Sequence, residues 1–235
     1  EFIRVLFRSY GFRGNDKNLD LNRDFVKCDS RNAQSFNRIF SYWSPDVMID
    51  NHTSNGADYQ YVMTLITSQE DKMGPILGEY VRNTLNPALF AGMAAKKWDM
   101  IPYVNADGPP DENGIEQFLE TPRFSSGYAA LHHCIAFMPE THMLKPYPPR
   151  VRSTYDLMLV MLEFLKERGK EIQEIRKKEM EHFRTQTKVP INWVADKSKY
   201  DMLEFKGYEA ERKISKVTGL ERLYYNRSKP FTKMI

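Results

Sequence analysis

Between Leu19 and His52 the chain reads as strand, helix, strand, and that order narrows the fold more than any other feature of the sequence. Leu19 and Leu21 alternate with Asp20, the period of a short half-buried strand that delivers Asn22 and Arg23 at its end. Asp29-Ser30 supplies a cap for a helix over 32–42, in which Phe36, Ile39, Phe40 and Trp43 form an apolar stripe at helical spacing. Pro45-Asp46 ends that helix, and Val47-Met48-Ile49-Asp50 reads as a buried strand. One helix joining two strands is the grammar of an α/β sheet, and ligands gather outside the carboxyl ends of such strands. The expected fold is therefore α/β, with a mixed central sheet flanked by helices.

Further along, Tyr59 to Ile66 is the next strand candidate, and Pro75 to Lys96 is largely helical, with Asn86-Pro87 dividing it into two helices. Asp107 to Gly114 is a loop. The apolar run Cys134 to Met138 leads to Glu140, and a carboxylate at the end of a buried strand is desolvated enough to serve as a general base. Pro139 removes a backbone donor, which predicts a bulge or an edge position there. A long helix is expected from Ser153 to Arg184, its second half charged and solvated. Glu179 and His182, at i and i+3 in that run, read as a solvated ion pair and not as a metal site. After Thr187 the texture becomes alternating and aromatic, with a turn at Lys216 to Gly219 and a strand at Leu220 to Tyr225. This divides the chain into a domain over 1–187 and the start of a β-rich module over 188–235.

Composition excludes several partners. The net charge of +3, from 34 basic and 31 acidic residues, argues for neither nucleic acid nor an acidic membrane. No run approaches the ~18 apolar residues of a membrane span. Cys28 and Cys134 are too far apart for a metal knuckle and form no disulfide framework; Cys134, in its apolar run, reads as a buried small hydrophobe.

Taken alone, Arg23 reads as a surface-turn arginine paired with Asp20 or Asp24. The longer pattern changes that. Arg13, followed nine positions later (22 − 13 = 9) by Asn22 within Leu19-Asp20-Leu21-Asn22-Arg23-Asp24-Phe25, resembles the zinc metallocarboxypeptidase family. Asp50-Asn51-His52-Thr53 and the Glu140 that closes Ile135 to Glu140 extend the resemblance in the same order.

The resemblance implies a carboxypeptidase A-like hydrolase that removes C-terminal residues from peptides, secreted or periplasmic, with a peptide C-terminus as its partner. It implies that Asn22 and Arg23 hold the substrate's terminal carboxylate and Arg13 stabilises the oxyanion. Glu140 would be the general base, His52 a zinc ligand, and Tyr128 the substrate-capping tyrosine. The family's other two ligands come from a His-x-x-Glu motif upstream of the Asn-Arg block. None of the histidines at 52, 132, 133, 142 and 182 has Glu three positions on, so those ligands, and an N-terminally incomplete domain, are expected from sequence before Glu1. An amidohydrolase of N-acyl amino acids or cell-wall peptides, and a non-catalytic carboxylate-binding relative, are the alternatives.

Overall fold

The computed structural model describes residues 13–54, 56–106 and 108–235. Phe2 to Phe7, an apolar and basic run whose sequence reads as a strand, lies outside them.

The sheet is built on β5 (Ile135–His142), whose eight residues are all buried. On one side it pairs in parallel with β1 (Val47–Ile49) and then β2 (His52–Ser54). On the other it runs antiparallel to β3 (Met63–Thr67), which is joined in parallel by β4 (Met100–Pro102). The sheet is thus mixed, in the order β1-β5-β3-β4 with β2 also on β5. Because side chains alternate along a strand, Ile135 and Phe137 point to one face and Cys134 and Ala136 to the other.

The first face is covered by three helical segments. The helices α2 (Pro75–Tyr80) and α3 (Asn86–Ala95) bring Leu77, Leu89 and Met93, and the 38-residue helix spanning Tyr147–Arg184 brings Leu157 and Met161. The opposite face is covered by α1 (Arg31–Trp43), capped by Ser30, through Phe40, and by α5 (Ser125–Leu131) through Tyr128 and Ala129. A short turn of helix, α4 (Pro110–Asn113), lies in the loop before α5, and the Tyr147–Arg184 helix is α6. No helix among the described residues is long and apolar enough to cross a membrane.

Several expectations are corrected. Leu19 to Leu21 is not a strand. Asn15 Oδ1 accepts the backbone N–H groups of Lys17 and Leu19, Asn18 adopts φ 61°, and Asp20 caps a 3-10 turn over Leu21–Arg23. Side-chain-to-backbone bonds of this kind compete with strand pairing and win in a segment so rich in Asn and Asp.

Pro87 does not divide the helix. The chain stays helical from Pro75 to Ala95 through a wide π turn over Val81–Leu85, in which Asn86 N–H donates to Val81 O. That change of register accommodates the ring and the missing donor.

Pro139 lies in the central strand, neither at an edge nor at a bulge. Ile135 N–H donates to Asp46 O and Asp50 N–H to Phe137 O, so odd-numbered β5 residues point their polar backbone groups toward β1 and β2. Pro139 therefore falls at the gap between those two short strands, where a donor is dispensable.

Glu179 is not solvated. It is 1 % exposed, and its carboxylate accepts the N–H groups of Ile76 and Leu77, capping α2 from 102 residues away. Such capping offsets the orphan donors of a helix N-terminus and suits its dipole. Cys134 is buried and unpaired as expected, and burial pushes its thiol up to about 12.

The tail forms a second sheet, an antiparallel hairpin of β6 (Glu204–Ile214) and β7 (Glu221–Met234) closed by a turn through Gly219. Its base packs on the rest of the chain. Phe205 is buried against Tyr59 and Tyr61, Gln60 donates to Gly207 O and Phe231 O, and Arg227 Nε pairs with the buried Asp58 at 2.7 Å.

Candidate functional site

Met138 and Glu140 sit on the α1/α5 side of β5, opposite Ile66 and Thr64 of β3 in the antiparallel register. The chain after β4 and the 3-10 turn of Leu21–Arg23 complete a cavity of about 200 Å³ over this patch. It is lined by Arg13, Asn22, Arg23, His52 and Glu140, with an apolar wall that includes Ile66, Tyr103, Phe118 and Phe124. Residues up to 127 positions apart (140 − 13) thus meet in one place.

The sheet side carries a chain of ionisable groups. His52 Nε2 is 3.0 Å from Asp50 Oδ2, and Ser125 donates its hydroxyl to the same oxygen. His52 Nδ1 faces Glu140 Oε1 at 3.6 Å. Parallel pairing sets this last contact directly, because His52 and Glu140 are register partners. The electrostatics follow from burial and from these contacts. Burial pushes the Glu140 carboxyl from 4.5 up to about 7, with His52 pulling down and Asp50 pushing up. The hydrogen bond that His52 donates to Asp50 raises the histidine, against desolvation. Asp50 is also desolvated, yet its bonds from His52 and Ser125 hold it below the usual carboxylate value. Glu140 Oε2 and Asn22 Oδ1 are buried and have no hydrogen-bond partner among the described residues.

The facing side is cationic. Arg13 Nε pairs with Asp20 Oδ2 at 2.7 Å. Arg23 donates through Nη1 to Asn22 O at 2.8 Å, and its guanidinium lies over the Phe124 ring, 4.1 Å from the centroid. Burial and the charges of Arg13 and Arg123 lower the Arg23 pKa, with Asp20 opposing. Guanidiniums brought this close favour an anion between them, and an Arg fork suits a planar carboxylate.

Tyr128 is a correction. It is not among the lining residues; it is 5 % exposed, packs among Phe36, Phe40 and Phe25, and donates its hydroxyl to Asn37. Its position in α5 turns it toward α1 and away from the cavity. The tyrosine that lines the cavity is Tyr103, just after β4, whose pKa is raised by burial and by Glu140.

Asp50, Ser125 and Phe124 also went unassigned. Asp50 could have been found, since a carboxylate two positions before His52 in extended chain shares its face. Ser125 and Phe124 carry no such local signal.

As for a metal, His52 has the features of a ligating histidine, because a carboxylate on its far nitrogen fixes ring orientation and tautomer. It is the sole imidazole in the cavity lining. Among the described residues no group of three or more His, Cys, Asp or Glu is placed to hold a metal ion. Comparison with protein-family models, curated proteins and solved structures found no match to this chain.

Proposed function

We propose that this chain is the carboxylate-binding and general-base part of a zinc-dependent metallocarboxypeptidase-like hydrolase that removes C-terminal residues from peptides. The observation that carries this reading is the opposition, across one cavity, of Asn22, Arg23 and Arg13 to His52 and a Glu140 whose pKa is about 7. Asn22 and Arg23 grip the terminal carboxylate, fixing the register of the scissile bond as well as adding affinity. Asn22 Oδ1, unpartnered among the described residues, can accept the substrate's backbone N–H. Arg13 meets the negative charge that develops on the scissile carbonyl oxygen. Glu140 takes a proton from the attacking water and returns it to the departing amine; a base with a pKa near the working pH is the efficient choice. His52 would contribute one ligand to zinc, whose chemistry is Lewis-acid polarisation. Asp50 and Ser125 hold the His52 ring for that role.

The test is binding, read by calorimetry, of N-acetyl dipeptides with a free C-terminus, of their C-terminal amides, and of N-acetyl amino acids. Free acids of dipeptides should bind, amides should not, and Arg23→Ala should remove the discrimination. Equal binding of acids and amides by the unmodified chain would overturn the reading. A preference for N-acetyl amino acids over dipeptides would move it to an amidohydrolase.

A further inference from the structure

Phe124 stands where the two sides of the cavity meet. The Arg23 guanidinium carbon lies over its ring, 4.1 Å from Cζ to centroid. Phe118 holds the ring edge-on at 5.1 Å, and Tyr103 in turn meets Phe118 at 6.1 Å. The aromatic wall therefore runs unbroken from Arg23 to the tyrosine of the cavity. The neighbour in sequence, Ser125, is 1 % exposed and donates its hydroxyl to Asp50, the carboxylate that holds His52. Phe124 O accepts the N–H of Tyr128, so this residue is also the first anchor of α5.

We propose that Phe124 is the positioning residue of the anion clamp, a role that rests on the reading of the cavity as a site for a peptide's terminal carboxylate. Arg23 is otherwise held by its Nη1 bond to Asn22 O, which fixes one corner of the fork but not its plane. A ring lying under the guanidinium carbon limits how that plane can turn and leaves N–H groups for a carboxylate that accepts two parallel bonds. The negative face of the ring also offsets the repulsion between Arg23 and its neighbours Arg13 and Arg123. Through Ser125 and Asp50, the same dipeptide sets the distance between the clamp and His52. Phe124 touches the clamp and not the reacting atoms, so it acts on recognition of the carboxylate.

The experiment measures Kd for an N-acetyl dipeptide and for its amide by calorimetry on the full chain. It uses the unmodified protein, Phe124→Leu, Phe124→Tyr, Arg23→Lys and the Arg23→Lys/Phe124→Leu pair. Phe124→Leu should weaken binding of the acid about tenfold, a size typical of a partly desolvated cation–π contact. The amide should remain as poor a ligand as it is for the unmodified chain. Phe124→Tyr, which keeps the ring, should restore the acid's affinity. In the Arg23→Lys background the Leu substitution should cost clearly less than in the unmodified chain, because a lysine ammonium keeps an attraction to the ring but has no plane to be held. Full additivity of the two substitutions would mean that Phe124 acts through general packing and would overturn the proposal. So would acid binding by Phe124→Leu equal to that of the unmodified chain. If the unmodified chain itself fails to prefer acid over amide, the carboxylate reading fails first, and the proposal with it.

Discussion

Replacing Glu140 with glutamine tests whether burial has raised this carboxyl, separately from any activity. Glu140 is 7 % exposed, and its carboxyl titrates near 7 in the folded chain against an ordinary value of 4.5. The folded protein therefore binds this proton more tightly than the unfolded chain. Stability contributed by the neutral form is fully present below about pH 4.5 and is lost as pH rises through about 7. At ~1.36 kcal/mol for each pKa unit, the loss amounts to roughly 3 kcal/mol. Glutamine has nearly the shape of the protonated acid and never ionises. The two proteins should thus have nearly equal unfolding free energies at pH 4.5, while at pH 8 Glu140→Gln should be the more stable by roughly 3 kcal/mol. For a chain of this size that is a rise in Tm of about 6–12 °C. Urea denaturation with a chelator present, at both pH values, measures it. Equal stability at pH 8, or a less stable glutamine variant, would refute the claim that burial dominates over the pull of His52.

The packing sets further outcomes. Glu179→Ala should destabilise the protein by about 2–4 kcal/mol, because the amides of Ile76 and Leu77 lose their acceptor in a buried place; urea denaturation measures it. Gly74→Ala should also destabilise, by roughly 2–3 kcal/mol, since Gly74 has φ 90° and an added Cβ would fall on the Glu179 carboxylate. The double variant should lose less than the sum of the two, as thermal melts of the unmodified chain and the three variants would show. Phe205→Ala should empty a fully buried ring site between the hairpin and Tyr59 and Tyr61, costing about 3–5 kcal/mol and making β6 and β7 the first segments cut by limited proteolysis.

Much of this arrangement is legible where one local rule dominates. The helix α1, the buried run of β5 and the turn before β7 each follow one local signal, and each forms, although of the α1 stripe only Phe36 and Phe40 pack inward while Ile39 and Trp43 stay exposed. The nearness of His52 and Glu140 is also legible in principle, because both belong to short strands of one sheet. Reading fails where a distant partner decides. Nothing within the charged run of α6 reveals that Glu179 serves the helix starting at Pro75, for the N–H groups it accepts lie 102 and 103 positions away. It fails too where two local rules conflict. Leu19 and Leu21 alternate as a strand would, but the Asn15 and Asp20 side chains claim the backbone first. Tyr128 and Tyr103 were indistinguishable as letters; the helical face of one and the strand-end position of the other separate them.

Pro139 has a consequence for how the sheet comes apart. β1 and β2 keep the same offset against β5, Ile49 opposite Phe137 and His52 opposite Glu140, so they are one strand lacking a rung. A missing rung is a natural boundary between cooperative units, because opening on one side need not break hydrogen bonds on the other. The three residues of β2 can then fray while β1 remains paired. Amide hydrogen exchange should register this as faster exchange beyond Asn51 than before it. The histidine of the cavity would ride on the segment that opens first, and the core beneath it would keep the protection of the whole domain.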